Sequence, residues 1–346
     1  PWKKISLTGI GLVAVIAAVF YFVPGKGAKT FNSAINPAFG EYISSYTAGV
    51  VSSGSRIRII FSKDAVDSSA IGNETSAKLF EFSPSIEGTT IWHDRRTVEF
   101  KPSARLISGQ IYEVHVLLSK LFQVANDLST FEYTFQVIPQ NFEVSVENIK
   151  PYVKTQLARQ KIEGTLFTAD FAENESVERM MTALQEGKSL KVNWTHAGEG
   201  KQHLFVVEDV SRKDAASLVK LSISGQAIGI EQSADKNVEI PALGDFKVTN
   251  VRVEQGTSQH VVLQFSDPLS ETQNLEGLIN ITELSSLDFE IKDNEIRVYP
   301  PVRQTGSRTL TVEAGVKNSL NYKMPEGGSF EVAFEQVLPA VRFTGK

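Results

Sequence analysis

The chain contains no cysteine. That excludes disulfides, thiolate metal ligands and a cysteine nucleophile, and it leaves the redox compartment open. Histidine is scarce as well: His93, His115, His196, His203 and His260 are the only five. No two of them stand at the i, i+4 helical spacing of an HExxH zinc site, and no carboxylate cluster accompanies them. His93-Asp94 reads as a hairpin turn, and His115 as a solvated position on the side of a strand shared with Glu113. No glycine-rich phosphate loop follows a strand and opens a helix, and no G-x-S-x-G elbow occurs. Glu208-Asp209, if extended, point to opposite faces and make no acid/base couple. There is no excess of positive charge: the net charge is −5 and no basic stripe is present, so nucleic acid is not expected as a partner. With no grouped acid, base and nucleophile, the sequence predicts no catalysis, cofactor or metal site within the chain.

What is present is an ordinary globular composition, 41% hydrophobic and 22% charged, in 346 residues. That length predicts two or three domains rather than one large core. Residue 1 is Pro rather than Met, and the last residues read as the start of another β-run, so the expectation is a piece of a larger protein.

Ile5 to Val23 is a run of 19 residues without charge, bounded by Lys3-Lys4 and Pro24-Gly25-Lys26. About 20 apolar residues cross a bilayer as a helix, so this run is long enough to be a transmembrane anchor, with Trp2 and Tyr21 at interfacial positions. A cleaved signal peptide is the competing reading. Its apolar core is usually shorter, roughly 7–15 residues, and the nearest cleavage candidate has Lys26 at the −3 position. Lys3 and Lys4 are matched by Lys26 and Lys29, so charge does not set the orientation. We therefore expect an anchor over 1–28, followed over 29–54 by a Ser/Ala/Gly-rich tether leading into the first domain.

Beyond the tether the chain alternates. Arg56-Ile57-Arg58-Ile59-Ile60-Phe61 places Ile57, Ile59 and Phe61 inward and its two arginines in water. Phe131 to Pro139 closes one run and Phe142 to Val146 opens another. Gly244 to Val248 opens a third, and Ala340 to Phe343 sits near the end. The recurrence, at roughly one hundred residues, is the size of one β-sandwich. It predicts β-sandwich domains over 55–140, 141–243 and 244–346, an all-β architecture of three tandem units.

The first and third units share a hairpin. Ile91-Trp92, a turn at His93-Asp94-Arg95 and a strand ending at Phe100 match Glu290-Ile291, Lys292-Asp293-Asn294 and a strand ending at Tyr299. In both, the residue before the turn lies eight before the terminal aromatic, and Pro102 or Pro301 follows that aromatic by two. Gly109 and Gly306 come after, and Phe61-Ser62-Lys63-Asp64 upstream matches Phe265-Ser266-Asp267-Pro268. Four features in one order predict an internal duplication. Trp92, Phe100, Pro102, Gly109, Tyr112, Tyr299, Pro301 and Gly306 are the structural residues of this pattern. Gly109 suits a corner needing positive φ, and Tyr112 a tyrosine corner.

The middle unit departs from the pattern. Glu175 to Glu186 places Val177, Met180, Met181 and Leu184 on one helical stripe, with Ser176 as N-cap and Gly187 at C′. A second short helix is expected at Ser211 to Ser217, and strands at Ser189 to Trp194, His203 to Val207 and Leu218 to Ile223. The unit reads as a sandwich with a helical insertion.

Several runs of the first unit carry a resemblance. They are Tyr42-Ile43-Ser44-Ser45-Tyr46, Arg56 to Phe61, Phe82-Ser83-Pro84-Ser85-Ile86-Glu87-Gly88, Ile91-Trp92, Phe100-Lys101-Pro102 and Leu106-x-x-Gly109-x-x-Tyr112. Together they resemble the N-terminal region of the large bacterial alpha-2-macroglobulins of Bacteroidetes-type envelopes, as does the ending Val341 to Lys346. The resemblance implies Ig-like, macroglobulin-type sandwiches on the periplasmic or exported side of a bacterial envelope, and a role in trapping proteases. The family's Cys-containing thioester has no counterpart here, no bait segment is identifiable, and Ile5 to Val23 stands where many members carry a lipidated cysteine. Only scaffold carries over. The expectation is a membrane-proximal, non-catalytic portion of a protease inhibitor with target proteases as partners. The alternative is a membrane-anchored binding or scaffold module of a larger envelope complex, such as a secretion or surface assembly.

Overall fold

The computed structural model describes residues 36–336. The anchor expected at Ile5 to Val23 and the β-run at Ala340 to Phe343 lie outside the described residues. Among those described, no helix is long and apolar enough to cross a membrane.

The first unit has eight strands: β1 (Ile43–Tyr46), β2 (Gly49–Val51), β3 (Ile57–Phe61), β4 (Phe80–Ser83), β5 (Gly88–Trp92), β6 (Thr97–Pro102), β7 (Ile111–Leu117) and β8 (Thr130–Val137). They form two sheets, β1-β3-β6-β5 and β2-β8-β7-β4, in which β2 pairs parallel with β8 and the other pairs are antiparallel. Alternation decides which side chains enter the core. Ile57, Ile59 and Phe61 of β3 meet Tyr112, Val114 and Val116 of β7 and Phe131, Tyr133, Phe135 and Val137 of β8, all buried. Tyr42 and Ile43 are buried in the same core. The tether expected over 29–54 is therefore corrected: from the short 3-10 turn Pro37–Glu41 onward this stretch belongs to the first domain. Its strands are only 4 and 3 residues long and rich in Ser and Gly. They are held by pairing to β3 and β8 rather than by a legible period.

The second unit contains β9 (Phe142–Pro151), β10 (Arg159–Thr168), the one-turn helix α1 (Asn174–Glu178), β11 (Met181–Gln185), β12 (Lys188–Leu190), β13 (Val192–Ala197), β14 (Gln202–Ser211), β15 (Ser217–Ser224) and β16 (Ser233–Ile240). Its sheets run β13-β14-β10-β9 and β12-β11-β15-β16. The helix expected to Glu186 stops at Glu178, and the rest of its stripe is strand. Met181, Ala183 and Gln185 are buried at period two, while Leu184 faces out. Glu186-Gly187, read as a helix end, is a two-residue hairpin loop with both residues at positive φ, joining β11 to β12. Two-residue hairpins favour that conformation. Residues 211–217 are not helical either: β14 extends through Ser211 and β15 begins at Ser217. The strand expected over Ser189 to Trp194 divides at Lys191 into β12 and β13, which belong to opposite sheets.

The third unit has β17 (Val248–Glu254), β18 (His260–Phe265), β19 (Ile279–Ile281), β20 (Asp288–Lys292), β21 (Glu295–Tyr299), β22 (Gly306–Val312) and β23 (Gly328–Phe334). Its sheets are β17-β18-β21-β20 and β19-β22-β23. Strand for strand this is the order of the first unit without a counterpart of β2. The repeated hairpins, however, differ in register. Trp92 pairs with Val98, whereas Ile291 pairs with Ile296 across a turn one residue shorter. A one-residue slip changes faces, so Phe100 points into its core while Tyr299 points out and Val298 fills the inward place.

Among the described residues, all the buried apolar side chains but Val262 fall into three clusters, spanning Tyr42 to Val137, Phe142 to Ile240 and Phe246 to Phe334. Each unit encloses its own core.

Candidate functional site

The residues singled out in the sequence are spread over the first and third units. Trp92 is buried against Phe61, and Phe100 lies against Phe80 and Phe82. Pro102 ends β6, and Gly109 and Gly306 both take positive φ. Tyr112 makes the expected corner, its hydroxyl accepting the Ile107 N–H at 3.4 Å. Tyr299 lies over His260 on the outer face and donates to Glu290, and Pro301 is exposed. None of them lines the groove between the second and third units.

Ionisable clusters lie elsewhere, and three of them bear on the sequence reading. Glu99, on the outer face of β6, is buried beneath Arg56 and Arg58, which the alternation placed simply in water. Its carboxylate accepts from Arg56 Nη1 at 2.8 Å, from Arg58 Nε and Nη2 at 3.2 and 2.7 Å, and pairs with His93 at 3.2 Å. Burial alone would raise its pKa, but the bonds from Arg58, Arg56 and His93 outweigh that and hold it at about 2. With both oxygens engaged, it is fixed as a carboxylate. In the second cluster Glu208-Asp209 are not extended, the condition on which their opposite-face placement rested. A bulge in β14 opposite Gln160 and Ile162 puts Asp209 at positive φ. Both residues then gather around Tyr152, whose hydroxyl donates to Glu208 and accepts from the Asp209 N–H, while Arg159 pairs with Asp209. The third is a cross-strand histidine pair, His196 Nδ1 at 2.8 Å from His203 Nδ1, with Glu178 at 3.2 Å from His196 Nε2. Burial and then the neighbouring His196 hold the His203 pKa below its ordinary value. Among the described residues, no three His, Asp or Glu are arranged to hold a metal ion.

The densest polar chemistry lies at the junctions between units. Between the first and second, buried Asp170 accepts Ser52 Oγ at 2.7 Å and the Ser53 N–H at 2.6 Å. Gln140, in the connector, donates to the Asp170 and Phe171 carbonyls and accepts the Asp170 N–H. Arg105 stacks 3.4 Å above the Phe171 ring. Burial pushes the Asp170 pKa up, but the donors from Ser52 and Ser53 bring it below the usual value.

Between the second and third units, Arg212 lies with its side chain 0% exposed. Its Nε donates to the Pro241 and Ala242 carbonyls, and its Nη2 to Ala242 and Asp245. Its Nη1 crosses to the third unit, reaching Ser266 O at 3.0 Å and Asp267 Oδ1 at 2.5 Å. The second oxygen of Asp267 accepts Asn318 Nδ2 at 2.7 Å. Asn294 Nδ2 reaches the Ile149 carbonyl and Gln264 Nε2 reaches Asn148 Oδ1. Ser319 Oγ donates to the Lys154 carbonyl, and Lys154 Nζ pairs with Glu271 and Asp293.

Beside this lock a groove of about 870 Å³ opens between the two units. The β9–β10 loop supplies Gln156 and Leu157, the connector Leu243 and Phe246, and the β22–β23 loop Leu320 and Tyr322. Asp267 and Asn318 form its polar floor and are already bonded to Arg212 and to each other.

Sequence reasoning missed the lock. Arg212 fell inside an expected helix and carries no periodic signal. The available signal was a difference between the duplicates, since Asp267 stands where the first unit has Lys63. The groove is assembled from loops scattered between Thr155 and Pro325, which no local pattern reports.

No protein-family model matches the chain, and no curated protein matches it. Among solved structures it is similar to domains 4–9 of surface layer protein SbsC, with a TM-score of 0.33 and 13% identity over 84% of this chain and 48% of that one. It is also similar to SGBP-B of the Bacteroides ovatus mixed-linkage glucan utilization locus, solved with a heptasaccharide, with a TM-score of 0.25 and 11% identity over 84% of this chain and 66% of that one. The three-Ig ectodomain of mouse nectin-like molecule 4 gives a TM-score of 0.25 and 12% identity over 85% of this chain and 97% of that one. The chain thus spans about half the length of the first and just under two thirds of the second. Likenesses this low carry no argument about what the chain does.

Proposed function

We propose that the chain is a non-catalytic scaffold of tandem β-sandwiches that holds a protein-binding surface at fixed spacing within a larger envelope assembly. The observation that carries this reading is the Arg212–Asp267 lock. A short linker would suffice to string domains together. Here a fully buried guanidinium bonds the carbonyls of the connector and a carboxylate of the next unit, which favours one relative orientation. The absence of native cysteine makes the test clean. Spin labels at Lys236→Cys and Glu313→Cys should give one narrow distance distribution in electron double resonance. A broad distribution in the otherwise wild-type chain would overturn the reading.

A narrower reading, a membrane-proximal portion of an alpha-2-macroglobulin-like protease inhibitor anchored through Ile5 to Val23, is supported by the motif resemblance of the first unit. Its test is the gene. An open frame continuing past Lys346 into a protease-sensitive bait segment supports it, and a stop codon directly after Lys346 removes it.

A further inference from the structure

We infer that the groove between the second and third units is a docking site for an extended peptide segment of a partner protein, one that sets a bulky apolar side chain between a basic and an acidic residue. The walls are apolar, and the polar floor of Asp267 and Asn318 is already engaged with Arg212. Leu243 is 39%, Leu320 39% and Tyr322 67% exposed, and all three converge on the groove with Leu157, Phe246 and Pro325. Exposed apolar side chains scattered singly are ordinary, whereas a concave cluster of this volume is the form of a ligand cleft. The groove is continuous with the locked junction, so its two walls keep a fixed separation.

The rim says what the occupant carries. Several charges around this junction are matched: Lys154 with Glu271 and Asp293, Lys213 with Glu186, Lys247 with Asp245 and Glu239. Of the groove's own ionisable residues, Asp267 is neutralised by Arg212. Asp214, from the second unit, and Lys323, from the third, are exposed and have no ion pair among the described residues. Opposite unpaired charges on facing walls are complementary to a segment with a cation towards Asp214 and an anion towards Lys323. The hydroxyl of Thr155 and the amide of Gln156, also on the groove and without side-chain partners among the described residues, offer hydrogen bonds to peptide main chain. Walls of leucine and phenylalanine over a floor whose polar groups are already bonded suit an aliphatic or aromatic side chain and leave sugar hydroxyls unpaired, which favours a peptide over a glycan.

The test selects a display library of random twelve-residue peptides on the immobilised full chain and measures synthetic winners by fluorescence anisotropy. The expected consensus is a bulky apolar residue flanked by one basic and one acidic residue. Leu320→Asp should weaken those peptides by about tenfold or more, and Tyr322→Ala by about fivefold. Asp214→Lys should weaken them similarly, and a peptide with its basic residue replaced by Glu should recover the loss. All three positions are exposed, so folding is preserved, and thermal unfolding checks it. The proposal is overturned by a selection without consensus, or by winners indifferent to Leu320→Asp. Oligosaccharide binding lost in Tyr322→Ala would assign the groove to a glycan, and a dimer in light scattering abolished by Leu320→Asp would assign it to a second copy. The proposal relies on the scaffold reading only for the spacing of the walls. Leu320→Asp leaves the spin-label distance unchanged, so the two can fail separately.

Discussion

Replacing Arg212 tests the junction most directly. Arg212→Ala removes six donor contacts at once and leaves the Asp267 carboxylate, 1% exposed, facing carbonyl oxygens with only Asn318 as donor. Breaking a buried pair from one side costs about 3–5 kcal/mol, chiefly because the surviving charge is stranded. Arg212→Lys keeps the charge, but its three donors satisfy at most half of those contacts, so it should cost about half as much. The second-site change Asp267→Asn on the alanine background removes the stranded charge and should recover about 1–2 kcal/mol, a coupling that a double-mutant cycle measures. The loss should be local. Hydrogen exchange should accelerate at residues 241–246 and 266–269, and the spin-label distribution should broaden, while the first unit, with its own core, keeps its protection. An Arg212→Ala cost below about 1 kcal/mol, or a loss spread evenly over all three units, would refute the reasoning.

Other predictions follow from single sites. Glu99 has its folded pKa depressed from 4.5 to about 2, so its contribution is complete above about pH 4.5 and is lost as pH falls towards 2. The full shift corresponds to about 3 kcal/mol, discounted to about 1–2 because Arg56 and Arg58 are half exposed. The stability gap between wild type and Glu99→Gln in urea titrations should therefore shrink across that window, and a constant gap would count against the clamp. His203 is held below its ordinary pKa, so the unfolded chain binds its proton more readily and stability falls as pH drops below about 6.5. His203→Gln should flatten that decline in the second unit, and an unchanged slope would place the titration elsewhere. Gly164, in the middle of β10, has the Phe205 ring and the Ser145 carbonyl where a Cβ would go, with Phe205 Cε1 at 2.8 Å. Gly164→Ala should cost about 1–3 kcal/mol by overpacking, visible as a lowered unfolding midpoint with Trp194 as reporter.

The sequence by itself determined the all-β architecture and most of the inward faces. Period-two runs such as Arg56 to Phe61 and Phe131 to Val137 are local, and strands with one buried face write that period directly into the chain. The corner at Tyr112 and the positive φ of Gly109 were legible for the same reason, since turn chemistry is carried by the residues of the turn. Tertiary structure alone decided the rest. Met181 to Gln185 has a helical stripe in sequence, and pairing with β15 and β12 makes it a strand. The match between Phe100 and Tyr299 kept its spacing but not its face, because register is set by the length of the turn and by the neighbouring strand. Above all, Arg212, Asp267 and Asn318 come from three separated segments. What makes them a lock is burial at a surface that exists only once two domains have folded and met, and the groove beside them shares that origin.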